Sequence, residues 1–146
     1  MPLIEANLVS DWRRALMSEL QTAHPDADVT AGRRTGVSRD QERIAVFFDG
    51  YSEQAARVVV ANPVMVVRFW PDRSKLPADT PEDPTQLEQA AVDLMRLLQA
   101  RQAQIENSVD DLWYFRVQSV VIDEDPEEWG VEARLLGFAK NVAAVA

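Results

Sequence analysis

The chain has 146 residues, 47% hydrophobic and 27% charged, with no cysteine and a formal net charge of −9. That length suits one globular domain able to bury roughly two-thirds of the surface its unfolded chain exposes. Within the chain, disulfides, thiolate chemistry and cysteine-ligated zinc are excluded. The acidic balance argues against a surface that clamps nucleic-acid phosphates.

The opening Met1-Pro2-Leu3-Ile4-Glu5 carries no basic segment and no apolar span, which predicts a cytoplasmic protein without a membrane segment. Ile4, Leu8, Trp12, Ala15, Leu16 and Leu20 then form one apolar stripe, with Arg13, Arg14, Ser18 and Gln21 opposite. The spacing predicts an amphipathic helix, ended by His24-Pro25 because the residue before proline avoids helical angles. Asp28 to Ala31 reads as a short strand. Gly32 to Asp40 reads as a mobile loop, with glycines at Gly32 and Gly36 around the basic pair Arg33-Arg34 and with Arg39 beyond.

Arg43 to Phe48 is apolar on both faces, which predicts a central strand. Asp49-Gly50 is a turn signal. Ala55 to Ala61 reads as a strand or a helical turn, and Val64 to Trp70 as a strand, with Asn62-Pro63 a bulge or kink between them. Pro71 to Pro84 is proline-rich and predicts an extended loop carrying Asp72, Arg73 and Lys75.

Asp83, Pro84 and Gln86 have the spacing of a capping box, in which the cap and N3 side chains satisfy each other's backbone amides. Leu87, Ala91, Leu94, Leu98 and Ile105 follow on one helical face. Leu112 to Ile122 and Trp129 to Phe138 predict two long strands. Between them lies the acidic, proline-containing hairpin tip Asp123 to Glu128. The expected fold is a single α+β domain over residues 1–146 with a mixed, mainly antiparallel sheet. An N-terminal helix and a second amphipathic helix before a C-terminal β-hairpin pack on that sheet, burying Leu94, Leu98, Trp113 and Leu135 together.

Chemistry is sparse. His24, the only histidine, sits where it can meet the end of a helix dipole rather than serve a triad. The hairpin tip lacks the alternating ligands and central glycine of a calcium loop, so it reads as a solvated turn, and Asp123 and Glu128 carry no glycosidase signature. Gly32 to Gly36 lacks the Gly-Lys-Ser/Thr ending of a phosphate loop. No catalytic, metal or cofactor residue is predicted. Of the four tryptophans, Trp12, Trp70 and Trp113 read as core, and Trp129, beside the acidic turn, as an interface residue.

In its order of elements the chain resembles the tail terminator proteins of long-tailed bacteriophages. Val64 to Pro71 resembles that family's long strand ending in an aromatic and a proline, Leu87 to Leu94 the helix after it, and Trp129 to Leu135 its closing strand. The resemblance implies a structural, non-enzymatic virion protein. It would form a homo-oligomeric, hexameric ring at the head-proximal end of the tail tube. The ring would stop tube polymerisation, contact the tail tube protein and the head-tail connector or neck proteins, and let DNA pass without specific binding. Arg33, Arg34, Arg39, Asp72, Arg73, Lys75 and Trp129 are the expected contact residues. The rival readings are another phage neck or tail-tube component, a bacterial interaction adaptor, and a small cytoplasmic ligand-binding or hydrolytic domain. The last of these predicts a pocket that holds His24 with a carboxylate partner.

Overall fold

The computed structural model describes residues 6–32, 41–52, 62–73, 84–125 and 127–139. The elements are α1 (Ala6–Ala23), β1 (Asp28–Ala31), β2 (Arg43–Ser52), β3 (Asn62–Trp70), α2 (Thr85–Asn107), β4 (Leu112–Asp123) and β5 (Gly130–Ala139). They form an α+β fold in which one five-stranded sheet has the order β1-β2-β3-β5-β4. The β1–β2 pair is parallel and the other pairs are antiparallel.

Both helices cover one face of the sheet. Leu8, Trp12, Leu16 and Leu20 of α1 recur every fourth residue, and Leu87, Leu94, Leu98 and Ile105 of α2 follow the same helical period, so each helix buries one stripe. Helix α1 lies against β1 and β2, and α2 against β4 and β5. Strand parity supplies the other side of this core: Ile44 and Val46, Met65, Val67 and Phe69, and Val131, Ala133 and Leu135 alternate toward the helices. The opposite face is apolar at its centre, where Val64, Val66 and Leu136 are buried with Phe47 and Phe138 beside them. Strand β3 is therefore apolar on both faces, as its central place requires.

Several sequence expectations change at this level. Asp49-Gly50 is no hairpin turn. It lies inside β2, where the register shifts between Phe48 and Tyr51 and Gly50 takes φ 84°. A positive φ of this kind suits glycine, so the turn-like dipeptide makes a bulge. Asn62 and Pro63 lie within β3: they pair with Ser52 and Tyr51, and the buried Asn62 amide donates to the Gly137 carbonyl at 3.1 Å. Ala55 to Ala61 lies outside the described residues.

Pro84 holds the cap position of α2, the Gln86 side chain bonds the Asp72 carbonyl and the Trp129 indole, and Asp83 lies outside the described residues. Trp113 is also not core. The register shifts between Leu112 and Tyr114, so Leu112 and Phe115 share the helix face three residues apart, and Trp113 is turned out to 64% exposure.

Candidate functional site

Three of the predicted contact residues, Asp72, Arg73 and Trp129, are brought together where β3 leaves the sheet. Gln86, in the first turn of α2, joins them. Its amide nitrogen donates to the Asp72 carbonyl at 2.8 Å, and its side-chain oxygen accepts the Trp129 indole N–H at 3.0 Å. The guanidinium of Arg73 lies over the Trp129 ring, 5.0 Å from its centroid, a cation–π arrangement. Arg73 is 7% exposed and Trp129 only 1%, so neither side chain offers the open surface that a contact role would use. Their place in the fold is to pin the start of β5 and the exit of β3 against α2. Arg33, Arg34, Arg39 and Lys75 lie outside the described residues.

Asp72 also lines a groove of about 430 Å³ beside this cluster. Its apolar wall is Phe69, Pro71, Ala90 and Leu94, and its polar groups include His24, Glu42 and Asp93. His24 arrives at the end of α1, with its backbone N–H still bonded to the Leu20 carbonyl at 2.9 Å. Its Nδ1 lies 3.4 Å from Glu42 Oε1, and its ring centroid 5.2 Å from that of Phe69. The histidine thus has a carboxylate neighbour inside a groove, rather than only a helix end to cap. Among the described lining residues there is neither serine nor cysteine.

A second surface lies on β4, an edge strand of twelve residues. Near its start the edge is closed by α2. The Phe115 N–H donates to Glu106 Oε2 at 2.9 Å, and Gln102 Nε2 donates both to that same oxygen and to the Phe115 carbonyl. Two helix side chains thereby stand in for a neighbouring strand at one residue. Among the described residues, no group outside the β4–β5 pair bonds the backbone of 116–123. This stretch also presents Val121 at 50% exposure and Ile122 beside it, while Trp113 and Tyr114 are exposed near the strand's start. Tyr114 stacks on Phe138, with centroids 4.3 Å apart and an interplanar angle of 14°.

Sequence reasoning placed the wrong tryptophan outside, because a bulge cannot be read from alternation alone. It also missed Gln102 and Glu106, whose polar side chains on an exposed-looking helix face carry no signal of what they bond.

The charged network on the outer sheet face is structural. Arg68 reaches Asp123 at 3.1 Å, Glu128 at 3.6 Å and Glu132 at 3.7 Å, and it donates to the Glu128 carbonyl at 3.0 Å. It therefore holds the acidic hairpin tip to the sheet. Among the described residues, no helix is long and apolar enough to cross a membrane. A scan against protein-family models finds no match for the chain, and a comparison with curated proteins finds none either.

Proposed function

We propose that the chain is a structural assembly protein of a phage tail, acting as a terminator ring at the head-proximal end of the tail tube. The observation that carries this reading is the β4 edge. Long edge strands are normally shortened, charged or covered, because their free N–H and C=O groups template association. Here one residue is covered by α2, and the stretch beyond it, whose backbone no described group outside the β4–β5 pair bonds, exposes Val121 and Ile122. An edge of this kind suits a heterologous contact, which closes into a ring when the rotation per subunit permits. The charge of −9 suits a channel that DNA must traverse without sticking.

The test combines mass in solution, negative-stain images at high concentration and addition of the protein to growing tail tubes. A terminator gives rings and arrests tubes at one length. Continued extension of the tubes by this protein identifies a tube subunit instead, and a monomer without effect on tubes refutes both.

The groove favours a second reading, a small ligand-binding domain. His24 with its Glu42 neighbour beside an apolar wall is the arrangement that reading requires. Native mass spectrometry of the purified protein tests for a retained compound.

A further inference from the structure

We infer that two free copies of this chain join through their β4 edges in a two-fold antiparallel contact centred on Val121, which extends the sheet across both. This contact is separate from the ring reading and does not depend on it. One edge cannot hold both contacts at once, so the pair must open when a ring assembles.

The direction of the backbone groups selects the residues. Along an antiparallel strand, successive residues turn their N–H and C=O alternately to one neighbour and to the other. The Phe115 N–H and C=O point away from β5, to Glu106 and Gln102. Its opposite number Gly137 therefore turns away from β4, and Leu136, Arg134, Glu132 and Gly130 turn toward it. Ser119, Val121 and Asp123, which stand opposite the last three, bond to β5. Val120 and Ile122 are left with N–H and C=O facing outward.

Setting Val120 against the partner's Ile122, and Ile122 against the partner's Val120, lets each pair exchange both of its bonds. Val121 then meets the partner's Val121 on the axis. The faces match as well. Val120 and Ile122 stand opposite Ala133 and Val131 on the helix face, and Ser119, Val121 and Asp123 lie on the other. Apolar meets apolar, and Val121 and Ile122, 50% and 39% exposed, are covered.

The charges at the two ends of the stretch complement each other. Arg116 is exposed, lies over the Phe138 ring at 5.8 Å and forms no ion pair among the described residues. Glu124, exposed just past the strand, forms none either. Asp123 is already held by Arg68 and does not count. Pairing about Val121 carries the Glu124 end of one protomer to the Arg116 end of its partner, and symmetry repeats the contact. The β4 edge is thus its own complement. The α2 clamp on Phe115 closes the edge where the partner's strand has ended. So short a pairing belongs with weak, concentration-dependent contacts.

The chain lacks cysteine, so single thiols can report the axis. Facing residues whose backbone groups turn away from each other lie about 4.5 Å apart at Cα, within the reach of a disulfide. Val121→Cys is expected to give a disulfide-linked dimer under mild oxidation. Ser119→Cys, which would face the partner's Asp123, is expected to give none. Without any thiol, sedimentation equilibrium of the full chain is expected to show a dimer that Arg116→Glu weakens about tenfold. Adding Glu124→Arg to that variant is expected to restore it, because the swapped charges still meet across the axis. Hydrogen exchange at the Val120 and Ile122 amides should slow as concentration rises, while Ser119 and Val121 stay unchanged.

Equal cross-linking of both thiols, or of neither, overturns the two-fold axis, and so does a charge swap that leaves the dimer weak. Rings without a prior dimer overturn this contact and leave the ring reading standing. Dimers that never arrest tail tubes do the reverse.

Discussion

The indole N–H of Trp129 donates to the side-chain oxygen of Gln86 at 3.0 Å, across 43 residues of sequence. The same Gln86 donates to the Asp72 carbonyl, so one amide ties together three segments: the exit of β3, the start of α2 and the start of β5. Gln86→Leu keeps much of the volume and removes both bonds, leaving the buried indole N–H without its acceptor. The expected cost is about 1–3 kcal/mol, the penalty of a buried donor stripped of its partner. Trp129→Phe removes the donor as well as part of the ring. In a double-mutant cycle by urea denaturation, the pair is expected to lose less than the sum of the two single changes.

Gly137 is needed for space rather than for its backbone angles. A Cβ there would lie 2.8 and 2.9 Å from the outer atoms of the Trp12 benzo ring and 3.1 Å from Pro63. Trp12 is fully buried, so the ring cannot swing into solvent. Gly137→Ala is expected to cost about 1–3 kcal/mol by overpacking. Trp12→Phe withdraws those ring atoms at its own cavity cost. The double variant is therefore expected to be more stable than additivity predicts, and strictly additive thermal denaturation data would remove the clash as the cause.

The two amphipathic helices and the terminal hairpin were legible because their signal is periodic and long. Leu8 to Leu20 and Leu87 to Ile105 repeat with the helix, and β4 and β5 are rich in β-branched and aromatic residues. What failed was local. Asp49-Gly50 has the chemistry of a hairpin turn, but such a dipeptide serves a bulge equally well, and only the pairing partner decides which. Gln86 has the spacing of a capping box, yet tertiary bonds to Asp72 and Trp129 take its amide instead. The groove was invisible for a similar reason. His24, Glu42 and Asp93 are distant in sequence, and nothing in their immediate neighbours marks them as sharing a wall.

Arg68 stands among three carboxylates at 14% exposure of its side chain. Arg68→Met keeps the apolar stem but leaves Asp123, Glu128 and Glu132 facing one another. A loss of about 1–3 kcal/mol is expected, below that of a fully buried pair because solvent reaches the carboxylates. Since the remaining force is repulsion between like charges, the variant's deficit should shrink as salt is added. Thermal melts of both proteins across ionic strength check this, and a deficit independent of salt would point to the lost guanidinium contact over the Trp70 ring.

The assembly reading separates association from folding. Val121→Lys places a charge on the open edge at a position already half exposed, and is expected to leave stability within about 0.5 kcal/mol of the parent while reducing ring formation. Reversing Arg33 and Arg34 to glutamate is expected to weaken assembly in the same way, because the basic pair is predicted from sequence to meet an acidic neighbour. Light scattering after size exclusion reads the mass, and far-UV circular dichroism reads the fold. Unchanged rings in both variants would remove these two surfaces from the contact.

The α2 clamp on Phe115 makes the opposite change possible. Glu106 Oε2 accepts the Phe115 N–H, while Gln102 holds the adjacent carbonyl, so together they occupy the edge at this residue. Glu106→Ala frees the N–H and exposes one more unit of the strand. Its direct cost is expected to be modest, about 1 kcal/mol, because the group is only part-buried and water can replace the carboxylate. The larger effect is on association, since the open edge then extends back toward Trp113 and Tyr114. Hydrogen exchange at the Phe115 amide should quicken, and mass should rise with concentration more steeply than in the parent. Glu106→Gln retains an acceptor oxygen, so it is expected to restore protection at Phe115 and parent-like association. If the glutamine variant associates as strongly as the alanine variant, loss of charge rather than loss of the clamp is responsible.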